Sequence, residues 1–465
     1  MARTANDRTV TTRLALSLLF AAAVGCATTP ASPAAAHAQD TFERQQWDAA
    51  AVASANASSD SSTPTQARQM AELQLALSLG HLGFRTSSLT LVTAIATDRK
   101  HAARLDALPA LASLAQQLPD VADVATPLYG YSQEQLEDAV DDLPPDAGMH
   151  LRWLLGAQAY HLGKYEEAIA RLDKVTGAEA AKAQILVALS HTRNRKSVPT
   201  AAALAKAIEI ARASPDDPEA RRLVDLATLL NARLFYSAAV SRVEDRRISV
   251  SVAKLARASR DWHAVDPQGE FGSEAGWERA WVYLAIGAHE AAIRDLERAL
   301  SDPDAYLPEA EQLLANVRWS AGDLQGAARG FQHVLASYQS TRDALLALTR
   351  ELVRGGDRGA RALALVVGAN ERPDDLPPDS RRVLRHALRD RQLVQTLAYT
   401  RAIAAEQTKL RAMPPPLRGS AAQKIADRAL QQTLGNVTNR IAEMVRVRVQ
   451  RELADLDEIL AATPR

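Results

Sequence analysis

The chain has 465 residues, 55 basic and 55 acidic side chains, 5% aromatic residues and one cysteine. So even a balance gives no electrostatic case for a nucleic-acid partner, which needs a clustered basic footprint. A lone cysteine allows no disulfide within the chain, so its stability comes from packing.

In chain order, Arg3, Arg8 and Arg13 precede an apolar run from Leu14 to Val24. A run that short describes a secretory signal, since a spanning helix needs about 20 apolar residues. Ala23-Val24-Gly25-Cys26 resembles the bacterial lipobox, which makes residues 1–25 a lipoprotein signal peptide and Cys26 the lipidated first residue of the mature chain. Ala27, where the lipoprotein class it resembles tends to carry aspartate for inner-membrane retention, favours the outer membrane and its periplasmic side. Several acyl chains on one cysteine would tether the protein without a spanning segment. Residues 26–66 read as a flexible tether rich in Ala, Ser, Thr and Pro, with a short helix around Phe42 to Val52. The folded body is predicted to start near Ala67.

From residue 67 to 375 the pattern is helix after helix, with almost no support for strands. Leu155, Gly156, Tyr160, Gly163, Tyr165, Ala168 and Leu172 follow the spacing of the tetratricopeptide repeat (TPR), two helices in about 34 residues. Small residues let the paired helices approach, and glycine permits the bend between them. The set returns as Ala280, Tyr283, Gly287, Ala292, Leu296 and Ala299, followed by Pro303. It returns again as Leu314, Ala315, Gly322, Ala327, Phe331 and Val334. The clearest repeats therefore lie near 149–180, 273–306 and 308–341. A degenerate unit carries Leu75, Ala76, Leu79, Gly83, Val92 and Ile95, with Ser88 in place of alanine. Another pair spans Ala232 to Ala258, with Ser251 at an alanine position and extra residues Ser241 to Arg247 in its turn.

The proline-rich run Arg372 to Asp379 ends the array, and residues 376–465 form a hairpin of long helices around Pro414-Pro415-Pro416. Its second helix carries an apolar stripe through Leu434, Val437, Ile441, Val445 and Leu456 that needs a covering surface. That stripe suits packing of the hairpin on itself or on the last repeat, or use as a docking arm. The predicted fold is all-α, a right-handed α-solenoid of TPR-like helical pairs with a C-terminal antiparallel helical hairpin.

No sequence pattern assigns a catalytic, cofactor-binding or metal-binding residue. There is no His-Glu-x-x-His, no Gly-x-Ser-x-Gly and no Gly-Lys-Ser/Thr phosphate loop. Glu134, Glu137, Asp138, Asp141 and Asp142 read as a solvated helix end, and Arg193-Asn194-Arg195-Lys196 as a solvated turn. Trp153, Trp277, Trp281 and Trp319 fall on first helices of repeats, where core packing is expected; facing the groove instead, they would be binding hot spots.

Lipobox, irregular first repeats and proline-flanked tail together resemble the TPR outer-membrane lipoproteins of myxobacterial type, including those of gliding-motility envelope complexes. The likeness runs through Leu75 to Ile95 with His101, Leu255 to Asp261 leading to Trp277–Tyr283, Tyr306 to Ala310, and the tail. It implies a non-enzymatic scaffold that binds other envelope proteins through the solenoid groove and meets the membrane through its lipid. An accessory lipoprotein for barrel or secretin assembly, or for peptidoglycan-remodelling enzymes, is the alternative.

Overall fold

Ala, Leu, Arg and Glu favour helix, and the structure, a computed structural model, is an all-α, TPR-like array of helical pairs with a C-terminal antiparallel hairpin. It describes residues 32–118, 131, 133–242, 248–301, 306–354, 361, 363–364, 383, 386 and 391–464. Cys26, Pro303 and the run 372–379 lie outside them.

In chain order the helices are α1 (Pro33–Glu43), α2 (Trp47–Ser59), α3 (Thr65–His81), α4 (Arg85–Thr97), α5 (Ala107–Gln117), α6 (Gln133–Asp142) and α7 (Pro145–His161). There follow α8 (Tyr165–Leu172), α9 (Ala180–Arg193), α10 (Ser197–Arg212), α11 (Pro218–Ala239), α12 (Val252–Ala264), α13 (Gly272–Ala285) and α14 (His289–Ala299). The last are α15 (Pro308–Ser320), α16 (Leu324–Arg354), α17 (Arg391–Arg411) and α18 (Ala421–Ala462). They form two compact units. One takes the described residues up to Leu162, Lys174–Glu179 and Val394–Ile441; the other takes Gly163–Asp173, the described part of Ala180–Leu393, and Ala442 onward.

One backbone turn recurs throughout. Two residues past the ends of α1, α3, α7, α9, α13 and α15 stand Gln45, Gly83, Gly163, Arg195, Gly287 and Gly322, with φ of 57°, 82°, 74°, 57°, 71° and 87°. The next helix starts two residues later in every case. Around Gly83, the Gly83 amide donates to Gly80 O (3.0 Å) and the Phe84 amide to Leu79 O (2.9 Å). The same two bonds close the turns at Gln45, Arg195, Gly287 and Gly322. This is the Schellman ending, which satisfies the last carbonyls of a helix through one left-handed residue. Glycine takes that conformation freely, whereas Gln45 and Arg195 bear the steric penalty of a side chain.

In the first unit the chain folds well before Ala67, which corrects the tether reading for residues 32–66; residues 26–31 lie outside the described residues. Ser32 Oγ caps α1 through the Ala35 amide (3.2 Å) and lies 2.9 Å from Thr63 Oγ1. Ala38, Ala53, Ala57 and Ala71 form a small core of their own. Trp47 meets Phe42 edge-on and stacks on His81 with centroids 3.9 Å apart. Ser54, within the segment expected to be a tether, is buried inside α2. Alanine cannot seed a core by bulk, but it lets helices approach closely enough to make one.

The hairpin also docks in the first unit, at a place that neither the self-packing nor the last-repeat reading anticipated. Phe84 occupies the N-cap position of α4 and offers no side-chain acceptor. Glu406 of α17 supplies it: its carboxylate accepts from the Thr86 amide (2.9 Å), the Ser87 amide (2.8 Å) and Ser87 Oγ (2.7 Å). One helical turn on, Lys409 Nζ donates to Leu82 O (2.9 Å) and lies 4.7 Å from the Phe84 ring centroid. An anion thus sits at a helix N-terminus and a cation at a helix C-terminus, both matched to the helix dipoles. Thr433 of α18 adds a 2.6 Å hydroxyl contact to Thr90 of α4. Within the hairpin, Gln423 Nε2 donates to Leu410 O at 2.7 Å.

In the second unit, α11 and α12 are joined by a departure from the strand-free expectation. Val240–Arg242 and Ile248–Val250 form an antiparallel ribbon, β1 and β2, with Val240 paired to Val250. Its β-branched residues suit extended backbone. Ser251 follows the second strand directly as the N-cap residue of α12 and is not an interior repeat position. Arg233 of α11 joins Glu278 and Glu274 of α13, and Trp262 Nε1 of α12 donates to Glu278 (3.0 Å). The end of α18 packs on the last repeat here: Gln312 Nε2 donates to Ile459 O (3.1 Å), and Arg342 pairs with Asp457. Nearby Glu452 is buried, and burial with Asp455 and Glu309 close by pushes its carboxyl up to about 7, against the pull of Arg451 and Arg448.

Replacing Arg195 with glycine should stabilise the protein by about 0.5–1 kcal/mol, because it removes the left-handed strain; an unchanged urea midpoint would count against this account of the turn. Glu406→Ala should cost about 2–3 kcal/mol, since it orphans two buried amides, and an unaltered unfolding midpoint would refute the trans-cap. Ionising Glu452 is harder in the folded state, so its contribution is present below the ordinary value of 4.5 and is lost as pH rises through about 7. Above neutral pH, Glu452→Gln should therefore be the more stable protein by on the order of 1–2 kcal/mol, the advantage vanishing near pH 4. A difference that did not vary with pH would exclude the titration.

Candidate interaction surface

The packing positions of the repeats come first, because they set which faces remain for a ligand. Gly156 is buried on α7 in the first unit. In the second unit Ala168 and Leu172 are fully buried on α8, and Tyr165 is half-buried. Ala280, Ala292 and Leu296 are fully buried in one core, against Trp277, Tyr283 and Leu284. Ala315, Ala327 and Phe331 form the next. Here the closest approach falls at a glycine the repeat spacing does not mark: a Cβ on Gly330 would lie 2.9 Å from Ala315 Cβ. In the degenerate unit the compensation is reversed. Ser88 is fully buried and Gly80 faces it, where a Cβ would lie 3.0 Å from Ser88 Oγ.

These core stripes turn two tryptophans outward, which overturns the core-packing expectation for them. Trp277 and Ala280 point to the core of the α13–α14 pair, and Trp281, the next residue, is 39% exposed. Trp319 stands two residues past buried Val317 and is 59% exposed. Ile286, beside the turn glycine of α13, and Leu324, the first residue of α16, are exposed as well. Trp153 is half-buried and stacks on His150.

Between α12, α13 and α14 the second unit holds a surface pocket of about 460 Å³ lined by Arg260, His263, Arg279, Tyr283, Arg294, Asp295 and Arg298, with Ser259 and Ala291. Arg279 is held as a fork on buried Asp295, at 2.6 and 2.8 Å, and its third nitrogen donates to His263 Nδ1 at 2.8 Å. Hydrogen bonding to Asp295 raises the Arg279 pKa further, so the guanidinium stays charged. Arginine has no acceptor, so His263 accepts at Nδ1 and carries its proton on Nε2. The sequence could mark this site only by Arg294 and Arg298 at one-turn spacing, because the other walls come from separate helices.

The remaining sequence candidates do not join it. Glu166 binds both Asn194 (3.0 Å) and Lys196 (2.9 Å) and so occupies the basic turn. In the acidic stretch Glu137 pairs with Arg152 at 3.4 Å, while Glu134 and Asp138 are exposed. Among the described residues no group of three or more His, Cys, Asp or Glu is placed to hold a metal ion, and no helix is long and apolar enough to cross a membrane.

No protein-family model matches the chain, and no curated protein matches it in sequence. Solved structures similar to it include the apo form of RapI, at 10% identity over 91% of this chain and 98% of that one, with a TM-score of 0.35. The Rap conjugation gene regulator of plasmid pLS20 in complex with the Phr* peptide shares 13% identity over 78% and 97%, with a TM-score of 0.31. The APC/C hetero-tetramer Cut9-Hcn1 shares 12% over 92% and 96%, with a TM-score of 0.19. At such scores the assignment to a TPR-like helical array rests on the helices and turns of this chain.

Proposed function

We propose that the chain is a non-enzymatic TPR scaffold lipoprotein, tethered by a lipid on Cys26 to the periplasmic side of the outer membrane, that binds other envelope proteins to assemble a complex. The observation that carries the binding role is the exposure of Trp281, Ile286, Trp319 and Leu324 on two consecutive helical pairs. Water-facing aromatic and aliphatic side chains are the anchors that protein partners bury. The basic N-terminus, the apolar run and Cys26 support the anchor, and the resemblance to myxobacterial TPR lipoproteins supports gliding-motility machinery as the assembly served.

Affinity capture of the native protein from detergent-solubilised envelopes, read by mass spectrometry, should recover a defined set of envelope proteins, and Trp281→Ala with Trp319→Ala should lose them. Cys26→Ala should move the protein from the membrane fraction to the soluble one. Capture of nothing specific would defeat the scaffold, and unchanged fractionation of the Cys26 variant would defeat the anchor.

A further inference from the structure

The pocket between α12, α13 and α14 is over-supplied with positive charge for any structural purpose. Four arginines line it against one carboxylate, Asp295, and Arg279 already neutralises that carboxylate as a buried fork. Arg298 reaches Asp295 only at 3.4 Å and is 71% exposed. The sole ion pair of Arg294 in the described structure is a 4.0 Å contact to Glu290, both side chains largely in water. Such a pair is worth little. Arg294 and Arg298 stand one turn apart on α14, a spacing at which like charges repel each other. Arg260 brings a third guanidinium from α12. His263 Nε2–H, the Tyr283 hydroxyl and Ser259 add donors, and no wall residue besides Asp295 is an anion.

We propose that this pocket receives the carboxylates of an acidic peptide segment on a protein partner. The proposal rests on the scaffold reading and names the chemistry by which a partner would be held. Two features favour a peptide over a free oxyanion. Arg294 and Arg298 lie about 5–6 Å apart along the helix, which suits two carboxylates better than one small ion. Arg279 and Tyr283 also fall at i and i+4 on α13, and exposed Ile286 is the residue that caps its C-terminus, so an aromatic and an aliphatic side chain follow the charged wall toward the end of that helix.

The test uses the full mature chain and a fluorescein-labelled hexaglutamate peptide at low ionic strength, with hexaglutamine as the neutral control. Saturable binding of hexaglutamate alone is expected. Arg294→Ala with Arg298→Ala should weaken it about tenfold while the melting midpoint stays put, since both side chains are mostly in water. Arg260→Ala, on a different helix, should weaken it as well. Absence of saturable binding, equal affinity in the folded variants, or full displacement by equimolar inorganic phosphate would each overturn the proposal. If hexaglutamate binds as expected while wild-type protein captures no envelope partner, the carboxylate site stands and the scaffold reading falls. If the double variant captures every partner that wild type does, the pocket assignment falls and the scaffold survives.

Discussion

Among the described residues, six helix ends reverse through one residue at positive φ, placed two positions past the helix and two before the next. Everything else in the pairs is arranged around that constraint. At Gln45, Gly83, Arg195, Gly287 and Gly322 the turn spends the last carbonyls of one helix on two amides and the next helix follows at once, so there is no slack in which the crossing could slip. With the crossing fixed, the same few positions must meet each time, and they carry Ala280 and Ala292, Ala315 and Ala327, or Gly80 and Ser88. Side-chain size is dictated by the backbone turn, and exposure follows from what is left over.

That leftover surface accounts for the character of the second unit. Once Trp277, Ala280 and Leu284 are committed to the core, Trp281 has no interior to enter. Once Arg279 is committed to Asp295 and His263, the charge of Arg260, Arg294 and Arg298 has no interior use either. Apolar and basic features on α13 and α14 are both surplus to folding, and surplus of that kind is what a partner can bind.

The fold class was legible because its signals are local. Helix-forming composition, apolar periodicity and a glycine at each bend all lie within one repeat, and Gly83, Gly163, Gly287 and Gly322 could be picked out by spacing. Gln45 and Arg195 take the same turn without the signalling residue, so the pair at the N-terminus passed for a tether. Its alanine-rich helices have the composition of a linker and the geometry of a core. Glu406 was invisible for a different reason: its partners, Thr86 and Ser87, are some 320 positions away, and nothing near Phe84 announces a missing cap. The arginine pocket was hidden because its walls come from three helices, each ordinary by itself.

The Glu406 contact also sets an order of events. The first amides of α4 have no acceptor in their own stretch of chain, so during synthesis they remain hydrated until Glu406, 320 positions later, has emerged. Closing a loop of that length adds only modest entropy, because the cost grows with the logarithm of length, but it cannot begin before α17 exists. The start of α4 is thus completed only after α17 has been made, and a nascent chain, or one clipped before α17, would carry it unfinished.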